Sequence, residues 1–208
     1  MSRLLLASRN VKKLAELRRI LLAELGVGRV EIVGLEDVPA YPEAPETGAT
    51  FAENALLKAR EAARNTGLRA VADDSGLTVA ALNGMPGVLS ARWAGHDRDD
   101  AANLRLVLDQ IADVPDERRG AAFVCAAALV TTPDGVEHVV EGRLDGVLTR
   151  QPRGAGGFGY DPIFQPVGET PTTAEMSPAE KDAISHRGRA FRALAPVIAG
   201  ALRHPGSA

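Results

Sequence analysis

A short apolar run at 3–7 reads as a buried strand, and the polar triplet Ser8-Arg9-Asn10 ends it. The period then changes. Leu14, Leu17, Leu21, Leu22 and Leu25 recur at helical spacing, which predicts a helix over Val11–Leu25 stopped by Gly26. Val30–Val33 is a second strand candidate, and 34–49, rich in Pro, Glu and Gly, reads as a loop. Thr50-Phe51-Ala52-Glu53 has the spacing of a capping box, so a helix is predicted over 51–65, with Gly67 ending it. Residues 70–72 form a strand that runs into Asp73-Asp74-Ser75-Gly76, and 77–80 continue it or begin the next.

Gly84, Pro86, Gly87 and Gly95 make 83–95 a loop, and an amphipathic helix follows over 99–112 with Leu104, Val107, Leu108 and Ile111 on one side. Long strands are predicted at 121–131 and 136–148, joined by the hairpin turn Thr132-Pro133-Asp134-Gly135. A glycine-rich loop spans 151–161. Ser177-Pro178-Ala179-Glu180 is a second capping box with proline at the first helical position, and Ser185 fits as the cap of a last helix to about 202. Without repeats or a linker, this alternation predicts an α/β fold, a mixed sheet with helices on its faces.

At 208 residues the chain can bury about 70% of its unfolded surface in one domain. The net charge of −3 argues against a protein that grips a nucleic-acid backbone. The longest apolar stretch, 121–130, is too short to span a membrane, and the first ten residues turn polar too early for a secretory signal. A cytoplasmic protein is expected. The single cysteine, Cys125, can form no internal disulfide and reads as a small buried hydrophobe. Of 24 basic residues only four are lysines: Lys12, Lys13, Lys58 and Lys181. Lysine offers a compact ammonium suited to a phosphate contact, so these positions ask for a specific explanation.

Five segments carry candidate chemistry. Ser8-Arg9-Asn10-Val11-Lys12-Lys13 lies between a strand and a helix, where backbone N–H groups and the helix dipole favour an anion. Taken alone, the segment is better explained as an ordinary strand-to-helix loop with an Asn cap. Glu46 sits in the loop before a helix that places Asn54, Lys58 and Glu61 near one face, which a solvated charged surface would also produce. Asp73 and Asp74 are costly side by side unless cations or donors compensate them. Their oxygens suit Mg²⁺, and strand geometry requires only one of them to enter a site. Gly154, Gly156 and Gly159 match the dinucleotide fingerprint literally, but Pro162 follows and no helix opens there. Loop backbone around Phe158 offers a ring on which a base can stack, with Asp161 placed to accept from the base or to fix the loop. Lys181 with Ser185-His186-Arg187 gathers donors suited to phosphate or to base carbonyls.

Ser8-x-Asn10-x-x-Lys13, Glu46-Thr47-Gly48, Phe51-x-Glu53-Asn54-Ala55-x-x-Lys58-Ala59, Ala72-Asp73-Asp74-Ser75-Gly76-Leu77, Gly157-Phe158-Gly159-Tyr160-Asp161-Pro162, and Ala174-Glu175-Met176 with Lys181 and Ser185-His186-Arg187 stand in this order. Together they resemble the inosine/xanthosine triphosphate pyrophosphatases, over nearly the whole chain. The resemblance implies an elongated mixed α/β fold with two lobes around a central cleft, a single domain over 1–208, and a homodimer. It implies Mg²⁺-dependent hydrolysis of ITP, dITP or XTP to the monophosphate and pyrophosphate. By the same resemblance Asp74 is a metal ligand and general base, and Glu46 a second metal ligand. Ser8, Arg9, Asn10, Val11, Lys12 and Lys13 form the triphosphate loop. Lys58, Ser75 and Lys181 contact substrate, and Phe158, Gly159, Tyr160, Asp161, His186 and Arg187 recognise the base. Two other readings are pyrimidine-directed Maf-like pyrophosphatases and a nucleotide sensor without turnover. The paired carboxylates Glu46 and Asp74 favour catalysis over sensing.

Overall fold

The computed structural model describes residues 2–26, 30–42, 45–131 and 135–203. Six strands form one sheet in the order β2-β1-β3-β4-β5-β6. They are β1 (Ser2–Leu6), β2 (Val30–Val33), β3 (Arg69–Val79), β4 (Gly120–Val130), β5 (Glu137–Leu148) and β6 (Phe164–Pro166). The longer helices are α1 (Val11–Leu25), α2 (Phe51–Thr66), α3 (Asp100–Gln110), α4 (Pro178–Ile184) and α5 (His186–Arg203). The sheet is mixed: β1 runs parallel to both β2 and β3, whereas β5 and β6 are antiparallel. This is the α/β class that the alternation predicts.

The chain divides into two compact units. One comprises Met1–Asp74, Cys125–Gly142 and Arg187–Ala208, the other Ser75–Val124 and Arg143–His186. In the first unit, Leu14, Leu17, Ile20 and Leu21 of α1 and Phe191, Leu194 and Ile198 of α5 share a core with Leu4, Leu6, Val71, Cys125 and Leu129. Cys125 is fully buried, as its apolar setting predicts, and burial pushes its thiol pKa up, so it is a packing residue. In the second unit Leu77, Val79, Val107, Ile111, Phe123, Tyr160, Ile163 and Phe164 form the core. The run 121–130 is therefore core rather than exposed surface.

Local signals set the helix boundaries. The Asn10 side chain accepts from the Lys13 N–H at the start of α1. Thr50 and Glu53 form the predicted capping box of α2, and Gly67 in the left-handed region at φ 68° closes that helix. Ser177 and Glu180 do the same for α4. Residues 69–79 are a single strand, so of the two alternatives the strand continues past 76, and Asp73-Asp74 lies within it rather than at its end. Counter-charges from elsewhere in the chain let both carboxylates remain in the sheet. The turn expected at 132–135 falls largely on residues outside those described.

Candidate active site

The first unit contains a reversal of strand order. The chain leaves β1 through α1 to reach β2 on one side, and β3 lies on the other. In parallel α/β sheets ligands bind beyond the carboxyl ends of the strands at such a point. Leu6 pairs with Val71 as the last β1–β3 partners, so Asp73 and Asp74 follow just beyond the end of β1, as does the segment Ser8–Lys13.

The α2 helix supplies the partners of Asp74. Ala55, Ala59, Ala62 and Ala63 bury one side of α2, and their small size lets it approach closely. Asn54 and Lys58, one turn apart, are thereby aimed at β3. Lys58 Nζ donates to Asp74 Oδ1 at 2.9 Å and to Glu46 Oε1 at 3.0 Å, and Asn54 Nδ2 donates to Asp74 Oδ2 at 3.2 Å. Asn54 is held in turn by the Gly48 N–H, which donates to its Oδ1 at 2.8 Å. A Cβ on Gly48 would sit 2.7 Å from both Asn54 Oδ1 and Glu53 Cβ. The glycine of Glu46-Thr47-Gly48 therefore brings the loop close enough for Glu46 to reach Lys58. Burial pushes the Asp74 carboxyl pKa up, against the charges of Lys58 and Lys13. Burial also disfavours the Lys58 ammonium, but Asp74, Asp73 and Glu46 prevail and raise its pKa.

Asp73 has different partners, as strand alternation requires. Its Oδ2 accepts from Lys13 Nζ at 3.1 Å and lies 3.6 Å from Arg187 Nε. The second arm of Arg187 donates to Glu16. Burial opposes the Asp73 charge, yet Lys13 and Arg187, helped by Lys58, hold its carboxyl well below the usual carboxylate range.

The segment Ser8–Lys13 is a capped turn. The Asn10 N–H donates to Ser8 Oγ and the Lys13 N–H to Asn10 Oδ1, so both side chains act as acceptors from the turn itself. Arg9 donates to the Tyr41 carbonyl, and Arg9, Val11 and Lys12 are exposed. Lys13 is the member of the segment whose side chain meets the acidic pair.

In the second unit the glycine-rich loop wraps around the carboxylate of Asp161. Asp161 Oδ2 accepts from the Phe158 N–H at 2.8 Å and from Lys181 Nζ at 2.6 Å, while Oδ1 accepts from the Thr173 hydroxyl at 2.8 Å. Gly157 has φ 69°, and a side chain there would strike Asp161. The Lys181 ammonium stands 4.9 Å from the centre of the half-buried Phe158 ring. Of the two roles open to Asp161, the structure shows the fixing of the loop. Tyr160 is buried and donates to the Ser90 carbonyl at 2.8 Å, Gly159 N–H donates to Asp100 at 3.0 Å, and Ser75 is half-buried in β3. His186 stacks on Phe123 with ring centres 4.9 Å apart, whereas the next residue, Arg187, turns to Asp73 and Glu16.

The structure thus gathers Lys13, Glu46, Lys58, Asp73, Asp74 and Arg187 in the first unit and Phe158, Asp161 and Lys181 in the second. Sequence reasoning expected cations or donors to compensate the Asp73-Asp74 pair, as Lys13 and Arg187 do for Asp73, but missed the ionic role of Glu16 and the amide clamp of Asn54. Glu16 gave no signal beyond its place on the apolar side of α1. Asn54 was visible one turn before Lys58.

The donor set fits a hard divalent ion. Glu46 and Asp74 already converge on one cationic point, the Lys58 ammonium, and both offer carboxylate oxygens. Among the described residues no group of three or more His, Cys, Asp and Glu comes together for a metal. Two protein carboxylates suit Mg²⁺, which keeps water and takes phosphate oxygens from its substrate.

Residues 4–197 match the Ham1 family. The chain is 65% identical over 199 residues to a dITP/XTP pyrophosphatase of Nocardia farcinica, with 96% of each chain covered. It is 62% identical over 198 residues to one from Streptomyces coelicolor, covering 95% of this chain and 98% of the relative. A HAM1 protein from Coxiella burnetii has a solved structure that is 44% identical with a TM-score of 0.86, covering 96% of this chain and 100% of that one. The solved nucleoside-triphosphatase/dITP/XTP pyrophosphatase of Mycobacterium abscessus is 63% identical with a TM-score of 0.75, over 93% of this chain and 99% of that one. With a match over nearly its whole length, in sequence and in fold, the chain belongs to the Ham1 family.

Proposed function

We propose that the chain hydrolyses noncanonical purine nucleoside triphosphates, dITP, XTP and ITP, to the monophosphate and pyrophosphate, and so cleanses the nucleotide pool. The observation that carries this reading is the Glu46–Lys58–Asp74 cluster beside the strand reversal, in a chain whose relatives at 62–65% identity are named dITP/XTP pyrophosphatases. We further propose that residues 1–208 work as one pyrophosphatase domain in a cytoplasmic homodimer. No helix among the described residues is long and apolar enough to cross a membrane.

A nucleoside triphosphate carries about four negative charges, and phosphoryl transfer depends mainly on positioning and charge stabilisation. Lys13 and Lys58 meet the polyphosphate, with Ser8–Lys13 as its loop and Ser75 as a further contact. Mg²⁺, held by Asp74 and Glu46, would neutralise phosphate charge when bound. Asp74 orients a water at the α-phosphorus and accepts its proton. The new bond joins that water oxygen to the α-phosphorus, the bond from the α-phosphorus to the bridging oxygen breaks, and pyrophosphate leaves.

Phe158 stacks against the base, while Lys181 and His186 supply donors. A 6-oxo purine accepts from such donors, whereas the 6-amino group of adenine leaves them unpaired, at a cost of about 1–3 kcal/mol per buried group. The test is pyrophosphate release with Mg²⁺ across dITP, XTP, dATP, dGTP, dTTP and UTP. The expected result is a kcat/KM for dITP and XTP at least about tenfold above that for dATP. Release of inorganic phosphate in place of pyrophosphate, or preference for a pyrimidine, would overturn the assignment.

A further inference from the structure

Phe158 stands in a turn with a glycine on either side, Gly157 at φ 69° and Gly159 at φ 60°. Glycine reaches many other conformations at no steric cost. A ring carried by such a chain keeps one direction only if the peptides around it are held. Three contacts do so. The Phe158 N–H donates to Asp161 Oδ2 at 2.8 Å, the Gly159 N–H donates to Asp100 Oδ2 at 3.0 Å, and the Tyr160 hydroxyl donates to the Ser90 carbonyl at 2.8 Å. The first is local. The other two reach 59 and 70 residues back along the chain, to α3 and to the turn before it.

Helix α3 organises both distant contacts. Asp99 caps it by accepting from the Ala101 and Ala102 N–H groups, and Asp100 is its first residue. The cap is thus made by Asp99, and the exposed Asp100 carboxylate accepts from the loop. Asn103, buried in the same helix, accepts from the Ala94 N–H at 2.6 Å and donates to the Ala91 carbonyl at 3.2 Å. It ties α3 to the turn that follows Ser90. The Ser90 hydroxyl donates to the Gly87 carbonyl at 2.6 Å and accepts from the Leu77 N–H at 2.9 Å, so the Ser90 carbonyl is a fixed acceptor for Tyr160. Burial, aided by the charge of Asp100, pushes the Tyr160 hydroxyl pKa up and keeps it a donor. Tyr160 anchors the turn from within the core, two residues beyond the ring. Asp100 holds the peptide that joins Phe158 to Gly159, through a bond strengthened by its charge.

We propose that Asp100 is a positioning residue that acts through the Gly159 N–H to hold the Phe158 ring in the pose that stacks on the base of the substrate. The inference rests on reading the chain as a purine nucleoside triphosphate pyrophosphatase. Because Asp100 acts through the ring, its effect falls on the base and not on the polyphosphate.

The test compares Asp100→Ala and Asp100→Asn, alone and combined with Phe158→Ala. Asp100 is exposed, so both variants keep the core. Asp100→Ala is expected to raise the KM for dITP about three- to tenfold, with kcat within about twofold of the parent. Asp100→Asn loses the charge but keeps an acceptor oxygen, and its KM is expected within about twofold of the parent value. The Ki of inorganic pyrophosphate, which has no base, stays unchanged in both, and Asp100→Ala adds nothing in the Phe158→Ala background. An unchanged KM in Asp100→Ala, an equal rise in the Phe158→Ala background, or a pyrophosphate Ki that rises with the KM would overturn the proposal. An Asn variant as impaired as the Ala variant would also overturn it, since the charge at the start of α3 would then matter and not the acceptor. A parent that turns over no nucleotide contradicts the functional reading. Hydrogen exchange at the Phe158 and Gly159 amides of the free protein, followed by NMR, still decides what Asp100 does. Faster exchange in Asp100→Ala than in the parent and Asp100→Asn supports the holding of the loop, and equal exchange in all three refutes it.

Discussion

Replacing Asp74 by Asn keeps the side chain's shape and removes its charge. Two donors converge on the carboxylate, Lys58 Nζ at 2.9 Å and Asn54 Nδ2 at 3.2 Å. An amide has one oxygen, so its NH₂ must face one of these donors. Facing donor against donor costs about 1–3 kcal/mol in a buried site. Two features offset that cost. Lys58 keeps its bond to Glu46 at 3.0 Å, and the variant no longer buries a charge that the site disfavours, as the raised pKa of Asp74 shows. The net loss is then about 0–2 kcal/mol, or a fall in melting temperature of no more than about 8 °C for a chain of this size. Catalysis suffers far more, because removal of a positioned general base costs about 10²–10⁴-fold. The assay pairs initial rates of pyrophosphate release from dITP with thermal melting followed by circular dichroism. A folded variant that retains more than about a tenth of the parent kcat would refute the role given to Asp74.

Phe158→Ala is expected to weaken dITP binding by about 1–3 kcal/mol through lost stacking, and an unchanged KM and kcat/KM would contradict this. Acid stability should depend on Asp73. Its folded pKa lies below the ordinary value of 3.8, so its ion pairs stabilise the fold above 3.8 and lose that contribution as pH falls from there towards the depressed value. Urea midpoints across that range should fall less steeply in Asp73→Asn than in the parent, and parallel curves would count against the pairing. Arg60 and Glu137 form a bidentate pair at 2.6 Å with both side chains about one-third exposed. Because exposed pairs are weak, Arg60→Ala should cost no more than about 1 kcal/mol, less in high salt, with turnover unchanged. A larger loss in urea titration would show that the pair has a wider role.

The parts of the molecule that were legible in the sequence are those in which cause and effect are local. Thr50 and Glu53, or Ser177 and Glu180, close a helix start within four residues, and the leucines of α1 declare their face by period alone. Whether the strand at 70–72 ends at Asp73-Asp74 or continues into 77–80 was left open by the sequence, because two adjacent carboxylates can stay in a sheet only with compensating charge. Their counter-ions come from Lys13 on α1, Lys58 on α2 and Arg187 on α5, which no local pattern reveals. Asp161 is the converse case. Both of its roles were visible, but the loop-fixing one takes its full form only with the Thr173 hydroxyl and the Lys181 ammonium, brought from later in the chain. The scarcity of lysine proved informative in a physical sense. Lys13, Lys58 and Lys181 each contact a carboxylate in a buried or half-buried setting, where a compact ammonium fits.

The central claim concerns which phosphorus is attacked, and isotope transfer tests it directly. Hydrolysis of dITP in water enriched in oxygen-18, followed by mass spectrometry of both products, should place the label in the monophosphate and leave pyrophosphate unlabelled. Label in pyrophosphate would mean attack at the β-phosphorus, and the water-orienting role of Asp74 at the α-phosphorus would be wrong.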